Sequence, residues 1–307
     1  MRIFLQTVIA TLVVLVSAMP KGAWAAPMAS PPQRANALLM ADRSFAAAAA
    51  KTDAVGGLSP LFASDVIMPV RGKGFARGKV AVIEALKSHP ETPSSVRVEW
   101  TPIGVGVSAD GKQGFTYGFM TEYAKDNKQN LLKYLAYWRR DTEGWRVIAY
   151  NRGRRAPGSI DTAPRNALLP GPIAVAKNSD RSSRSTSLAN AERAFSDAAQ
   201  RIGLSAAFAE FGSVDSMNLG GGGNIGFVFG AEAISRLVGA GEPEHGSSVS
   251  WAADERVVVA DSGDLGLSVG NIHFNQRAED GSERQPIPFF TVWRRASANQ
   301  PWRYVAE

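Results

Sequence analysis

Gly114-Phe115-Thr116-Tyr117-Gly118 is followed downstream by Trp138-Arg139-Arg140 and Trp145-Arg146. Later in the chain, Gly266-Leu267-Ser268-Val269-Gly270 is followed by Trp293-Arg294-Arg295 and Trp302-Arg303. Each Gly-x-x-x-Gly run is preceded by a turn signal, Asp110-Gly111 in one case and Ser262-Gly263 in the other. The match extends upstream. Trp100 has a partner in Trp251, Gly78 in Gly230, Phe62 in Phe211 and Met68 in Met217. Further back, Leu38, Ala41, Phe45 and Ala48 recur as Leu188, Ala191, Phe195 and Ala198, the spacing of one face of an amphipathic helix. Collinear matching of this kind marks an internal repeat, so a chain of 307 residues reads as two copies of one unit.

Each copy has the same order of elements. A long helix comes first, about Arg34–Lys51 and about Leu188–Ile202. A short helical piece, a strand around Val66–Val70, a Gly-rich turn and a second helix follow (Lys79–Lys87, and Ala231–Val238). Four extended segments close the first unit: Val96–Val107, Gln113–Tyr123, Leu131–Arg140 and Trp145–Tyr150. Their Val, Phe, Tyr and Trp content with Gly and Asp between them favours antiparallel hairpins. Helices early and strands late argue an α+β unit, with helices packed on one face of a curved sheet.

This order, together with Trp100-Thr101-Pro102, Val107-Ser108-Ala109-Asp110-Gly111, Tyr137-Trp138-Arg139-Arg140 and Gly144-Trp145-Arg146-Val147, resembles the nuclear transport factor 2-like superfamily. More narrowly, it is similar to the SnoaL-like and ketosteroid-isomerase-like branch and its uncharacterised secreted members. The resemblance covers residues 34–151 and, more weakly, residues 188–307, where Asn218 and Gly220–Gly223 depart from it. It implies two tandem cone-shaped domains, each with a pocket at its wide end, used by both catalytic and binding members. It also implies a sheet face that pairs domains, as a pseudo-dimer within the chain or as a homodimer.

Hydrophobic residues make up 45% of the chain and charged residues 20%, which excludes a wholly disordered chain or a collagen. No cysteine is present, so disulfides, thiolate metal sites and cysteine nucleophiles are excluded together. At the start, Arg2, an uncharged and mostly apolar run from Ile3 to Met19, and Ala23-Trp24-Ala25 form a signal-peptide pattern over residues 1–25. The expected location is the periplasm or the exterior, with no membrane span once the signal is removed. Residues 152–187 hold four prolines, three glycines and scattered arginines without an aromatic, the composition of an exposed linker. The net charge of +6 divides into +2 for residues 1–25, +5 for residues 26–151, +5 for residues 152–187 and −6 for residues 188–307. Complementary docking of the two copies follows as one expectation. Nucleic acid is not expected as a partner, because the Arg152–Arg155 cluster is short and lacks interleaved aromatics.

The places of a ketosteroid-isomerase-type acid–base set carry no such groups. The strand aspartate's place is Met68 and Met217, the helix tyrosine's is Phe45 and Phe195, and the late-strand acid's is Ala136 and Thr291. Gly266–Gly270 fits G-x-S-x-G, but its serine lies within an expected strand with no helix following. Gly220–Gly223 lacks the Lys-Ser/Thr of a phosphate loop. His89, His245 and His273 show no metal-ligand spacing. The expectation is therefore no catalytic set, no metal and no cofactor. Tyr117, Tyr134, Trp138, Glu122 and His273 remain as candidate pocket residues for a small apolar ligand. An isomerase, dehydratase or hydrolase with a rearranged site is the alternative, and buried carboxylates or histidines in a cone would be its sign.

Overall fold

The computed structural model describes residues 29–88, 97–126, 128–171 and 180–307. The signal-peptide pattern of residues 1–25 and His89 lie outside the described residues. The first copy runs α1 (Pro31–Ala49), α2 (Ala54–Leu58), a 3-10 turn (Ser59–Leu61), β1 (Phe62–Val70), β2 (Gly74–Arg77) and α3 (Gly78–Lys87). It continues with β3 (Arg97–Val107), β4 (Gln113–Tyr123), β5 (Gln129–Asp141) and β6 (Gly144–Arg154). The second copy repeats this order. Its members are α4 (Arg181–Ile202), α5 (Leu204–Phe211), β7 (Gly212–Asn218), β8 (Val228–Phe229), α6 (Ala231–Val238), β9 (Val249–Val259), β10 (Leu265–Phe274), β11 (Ile287–Arg294) and β12 (Arg303–Ala306).

Each copy forms a six-stranded sheet, with orders β2-β1-β6-β5-β4-β3 and β8-β7-β12-β11-β10-β9. The fold is α+β, as expected, and the strand orders of the two copies coincide. The sheets are mixed rather than wholly antiparallel. β1 lies parallel to β6 and β7 parallel to β12, the chain passing through a helix and four further strands before returning to the first strand's side.

The repeated glycines have a structural cause. A Cβ built on Gly118 meets the Thr101 carbonyl oxygen at 2.1 Å, and one on Gly270 meets the Ala252 carbonyl oxygen at 1.8 Å. Both sit beside register shifts in the hairpins, β3–β4 at Pro102/Gly104 and β9–β10 at Val269/Asn271, where the sheet bends. Gly114 and Gly266 likewise leave room for Leu38 and Leu188 of the long helices. The Gly-x-x-x-Gly repeat thus marks the contact of helix with sheet and the bend of the sheet.

Side chains alternate along each strand, so each sheet has two buried faces. In the first copy, Met120, Tyr134, Ala136 and Trp138 face the helices with Leu38, Val82 and Leu86. Trp251, Trp293 and Tyr304 do the same in the second copy with Leu188 and Phe195. A further cluster joins the two sheets: Phe115, Tyr117, Phe119, Leu135 and Tyr137 from one copy pack with Met217, Leu267, Val269, Phe290 and Val305 from the other.

Two segments differ from their sequence reading. Helix α4 begins seven residues earlier than the apolar stripe, because Asp180 caps it, accepting the Ser183 N–H at 2.6 Å. The expected exposed linker is anchored in its described first part. The Arg165 N–H donates to the Ile103 carbonyl at 2.7 Å, and the Leu168 N–H donates to the Val105 carbonyl at 2.8 Å. The β3 edge offers unpaired backbone groups there, and Leu168 and Leu169 pack on the neighbouring cores. The Pro- and Gly-rich composition conceals these few apolar residues.

Gly270→Ala is expected to lower the stability of the chain by about 1–3 kcal/mol in urea titration, since a backbone oxygen cannot yield as a side chain can. Gly223→Ala, where a Cβ meets nothing within 4 Å, is expected to leave the midpoint unchanged.

Candidate functional site

A buried acid sits on the long helix of each copy. Asp42 of α1 is fully buried among Leu38, Ala35 and Ala49. It accepts the Trp100 indole N–H at 2.7 Å and the Tyr134 hydroxyl at 2.8 Å. Glu192 of α4 occupies the same place in the second copy. It accepts the Trp251 indole N–H at 2.7 Å, the Trp293 indole N–H at 2.9 Å and the Ser268 hydroxyl. Burial raises the pKa of both carboxyls, and the hydrogen bonds they accept partly offset this. Ser268, the serine of the G-x-S-x-G pattern, is fully buried in mid-strand and is committed to this network.

The copies diverge one layer further in. Thr116 pairs across the sheet with Ala136, and Ser268 with Thr291; Gly118 pairs with Tyr134, and Gly270 with Phe289. Ala136 then faces Tyr150, while Val292 faces Ala306, which brings Thr291 level with Glu307. Tyr134 and Tyr150 of the first copy therefore correspond to Phe289 and Glu307 of the second. In the first copy the two tyrosine rings stack 6.4 Å apart and are fully buried. In the second, a cavity of about 310 Å³ opens.

This cavity is lined by apolar and aromatic side chains, among them Phe195, Phe208, Trp251 and Phe289. Glu192, Asn218, Thr291 and Glu307 supply its polar groups, and Asn151 reaches it from the first copy. Glu307 accepts the Asn218 side-chain amide at 3.1 Å and the Thr291 hydroxyl at 3.5 Å. Burial, with repulsion from Glu192, pushes the Glu307 carboxyl up to about 8. At neutral pH it holds a proton and can donate or release it within an apolar space.

The residues singled out from the sequence lie elsewhere. Tyr117 is on the face between the sheets, edge-on to Phe227 at 5.2 Å, and burial pushes its hydroxyl up to about 12. Tyr134 and Trp138 lie in the helix-side core of the first copy. Trp138 stacks on Phe45 at 6.0 Å and donates its indole N–H to Thr116 at 2.8 Å. Glu122 is buried and pairs with Arg152, and it also accepts the Asn130 amide at 3.2 Å. His273 is exposed on β10. None of the five lines the cavity. Met68 and Met217, at the strand aspartate's place, are both core residues, and Thr291 sits in the cavity wall.

Asp42, Glu192 and Glu307 were not read from the sequence. The signal for the first two is present: Leu38-x-x-x-Asp42 and Leu188-x-x-x-Glu192 place an acid within the buried stripe of each helix. Glu307 has no such signal, because its partner in the repeat is a tyrosine. Among the described residues, no cluster of His, Cys, Asp and Glu could hold a metal ion.

No protein-family model matches the chain, and no curated protein matches it. Solved structures are similar to a stretch about one copy long. A candidate aromatic ring hydroxylase from Novosphingobium aromaticivorans is 16% identical, with 43% of this chain and 95% of that chain covered and a TM-score of 0.34. A candidate dehydratase of the nuclear transport factor 2-like family from Streptomyces avermitilis is 17% identical, covering 40% and 96% at a TM-score of 0.32. A ketosteroid isomerase-like protein from Erwinia carotovora atroseptica is 19% identical, covering 41% and 95% at a TM-score of 0.29. Likeness at this identity concerns the fold and carries no chemistry with it.

The raised carboxyls set a pH dependence. The folded chain keeps the Glu307 proton that the unfolded chain releases, so this proton favours folding below the ordinary glutamate range. That advantage is lost as pH rises from about 5 through about 8, at about 1.4 kcal/mol per pH unit for one proton. Asp42, Glu192 and Asp264, all raised chiefly by burial, act in the same sense. Lys133, lowered to about 8 by burial and by Arg155, acts oppositely and only above that pH. Urea midpoints measured from pH 5.5 to 8 should fall steadily, and Glu307→Gln should remove one proton's worth of the slope. An unchanged slope in the variant would show that Glu307 is ionised in the folded chain.

Proposed function

We propose that the chain is an exported small-molecule-binding protein whose second copy carries the binding site. The observation behind this reading is the apolar cavity with Glu307 at its wall, where the first copy has two packed tyrosines. A cavity of this size, apolar with a few polar groups, suits a compact ligand. Export rests on the pattern Arg2, Ile3–Met19 and Ala23-Trp24-Ala25. The test uses the chain recovered from its own periplasm. The expected mature N-terminus is Ala26, with one small molecule per chain in native mass spectrometry. Phe289→Tyr with Glu307→Tyr, which rebuilds the first copy's filling, should abolish that adduct while leaving the thermal transition in place. Recovery in the cytoplasm with residues 1–25 intact would overturn export, and an adduct that survives the filled variant would overturn the site.

A second reading, proton-transfer catalysis of the isomerase or dehydratase type, is favoured by one observation: Glu307 is poised near neutrality inside an apolar cavity. A catalyst requires turnover of the recovered ligand that Glu307→Gln stops, whereas a binding protein returns the ligand unchanged.

We read the two copies as a dimer-like unit within one chain. The shared apolar cluster supports this, and so does a reciprocal exchange of hydrogen bonds between the turns. The Ala109 N–H donates to Asp264 at 3.1 Å, and the Ser262 N–H donates to Asp110 at 3.1 Å. Arg77 pairs with Glu255, and Lys112 with Asp261 at 3.3 Å. Residues 29–171 and 180–307 produced separately should associate one to one in sedimentation, weakly dependent on salt because the shared cluster is apolar. Two stable, non-associating monomers would refute the pairing.

A further inference from the structure

Apart from the Glu307 proton and the second N–H of the Asn218 amide, the donors around the cavity are committed. The Trp251 and Trp293 indoles and the Ser268 hydroxyl all point at Glu192. The Asn218 amide and the Thr291 hydroxyl point at Glu307. The Asn218 side-chain oxygen accepts the Gly220 N–H at 2.7 Å. Only Asn151, from the other copy, adds a further amide. Among the described lining residues there is no lysine, arginine or histidine. An anionic ligand would therefore meet two carboxyls, with no cation to receive it.

The acceptor side is the reverse. A carboxylate has about four lone-pair positions, and Glu307 uses two of them. The walls add the aromatic side chains of Phe208, Trp251 and Phe289, a residue class whose ring faces attract cations. Ionising Glu307 beside Glu192 without a counter-charge is costly in an apolar space, and a bound cation would offset that cost.

We infer that the second copy's cavity takes an organic cation, an amine or quaternary ammonium on an apolar body, with Glu307 as its counter-ion. The inference rests on the binding reading above and specifies the class of ligand. A cation entering at neutral pH displaces the Glu307 proton, so binding releases a proton and strengthens as pH rises towards 8. A neutral ligand that accepted a hydrogen bond from the protonated carboxyl would show the opposite trend.

The test uses three probes with one tail: 4-phenylbutylamine, 4-phenylbutan-1-ol and 4-phenylbutyrate. Each is titrated calorimetrically into the mature full chain in two buffers of different ionisation enthalpy, from pH 6 to 8. The amine should bind about tenfold or more tighter than the alcohol, and the carboxylate most weakly. Amine affinity should rise with pH, with up to one proton released per ligand. Glu307→Gln should erase the preference for the amine, and Glu307→Asp should retain it; thermal unfolding of both variants reports their fold. Alcohol binding as tight as the amine's, or amine affinity that falls with pH, overturns the cation while leaving the binding site. Failure of all three probes to bind overturns both.

Discussion

Each sheet of this chain is apolar on both faces, while its own helices cover only one. On β4, Thr116 and Met120 turn to the helices, while Phe115, Tyr117 and Phe119 turn away. On β10, Leu267 and Val269 turn away in the same manner. A sheet so built cannot stand alone in water, because leaving that second face exposed forfeits the burial that holds a domain together. The other copy's sheet supplies the cover. The duplication, the cross-bonded turns at Asp110 and Asp264, and the anchoring of Arg165 and Leu168 along β3 all serve this one requirement.

The helix-side faces show how two copies of one plan come to differ in chemistry. Both keep the acid that takes an indole N–H from the facing strand, Asp42 from Trp100 and Glu192 from Trp251. An acid in that place costs desolvation, and the committed donors hold it there. Around that constant pair, two exchanges change the space: Tyr134 gives way to Phe289, and Tyr150 to Glu307. The first removes a hydroxyl and the second removes a ring. A packed interior becomes a cavity, and the lost ring is replaced by a carboxyl with no cation among the described lining residues. At this place the first copy is filled and the second is hollow.

The fold was legible in the sequence to the level of copies, element order and helix faces, since periodicity and paired glycines and tryptophans are local signals. The glycine pairs proved to mark the bends and the close approach of Leu38 and Leu188. The site was less legible. Strand alternation puts Tyr134 and Trp138 on one face of β5, but it does not say that Tyr117 on the neighbouring strand faces the other way, nor which face meets a helix and which a second sheet. Asp42 and Glu192 stand in plain helical register, but an acid in an apolar stripe reads as an exception to the pattern rather than as a site. The parallel pairings β1–β6 and β7–β12 join strands far apart in the chain, which no local pattern reports.

The sequence by itself determined that the chain is a duplicated α+β unit, that cysteine chemistry is excluded, and that the charge is divided into a basic front and an acidic back. These follow from composition and short-range spacing, which any segment carries with it. Only the tertiary structure decided that the two sheets share a core, that the described first part of the tether is pinned to an edge, and that one copy is filled while the other is hollow. Those outcomes depend on which side chains from distant strands and helices meet. Glu307 becomes unusual only when Glu192, Asn218 and Thr291 are brought around it at the wall of an apolar cavity.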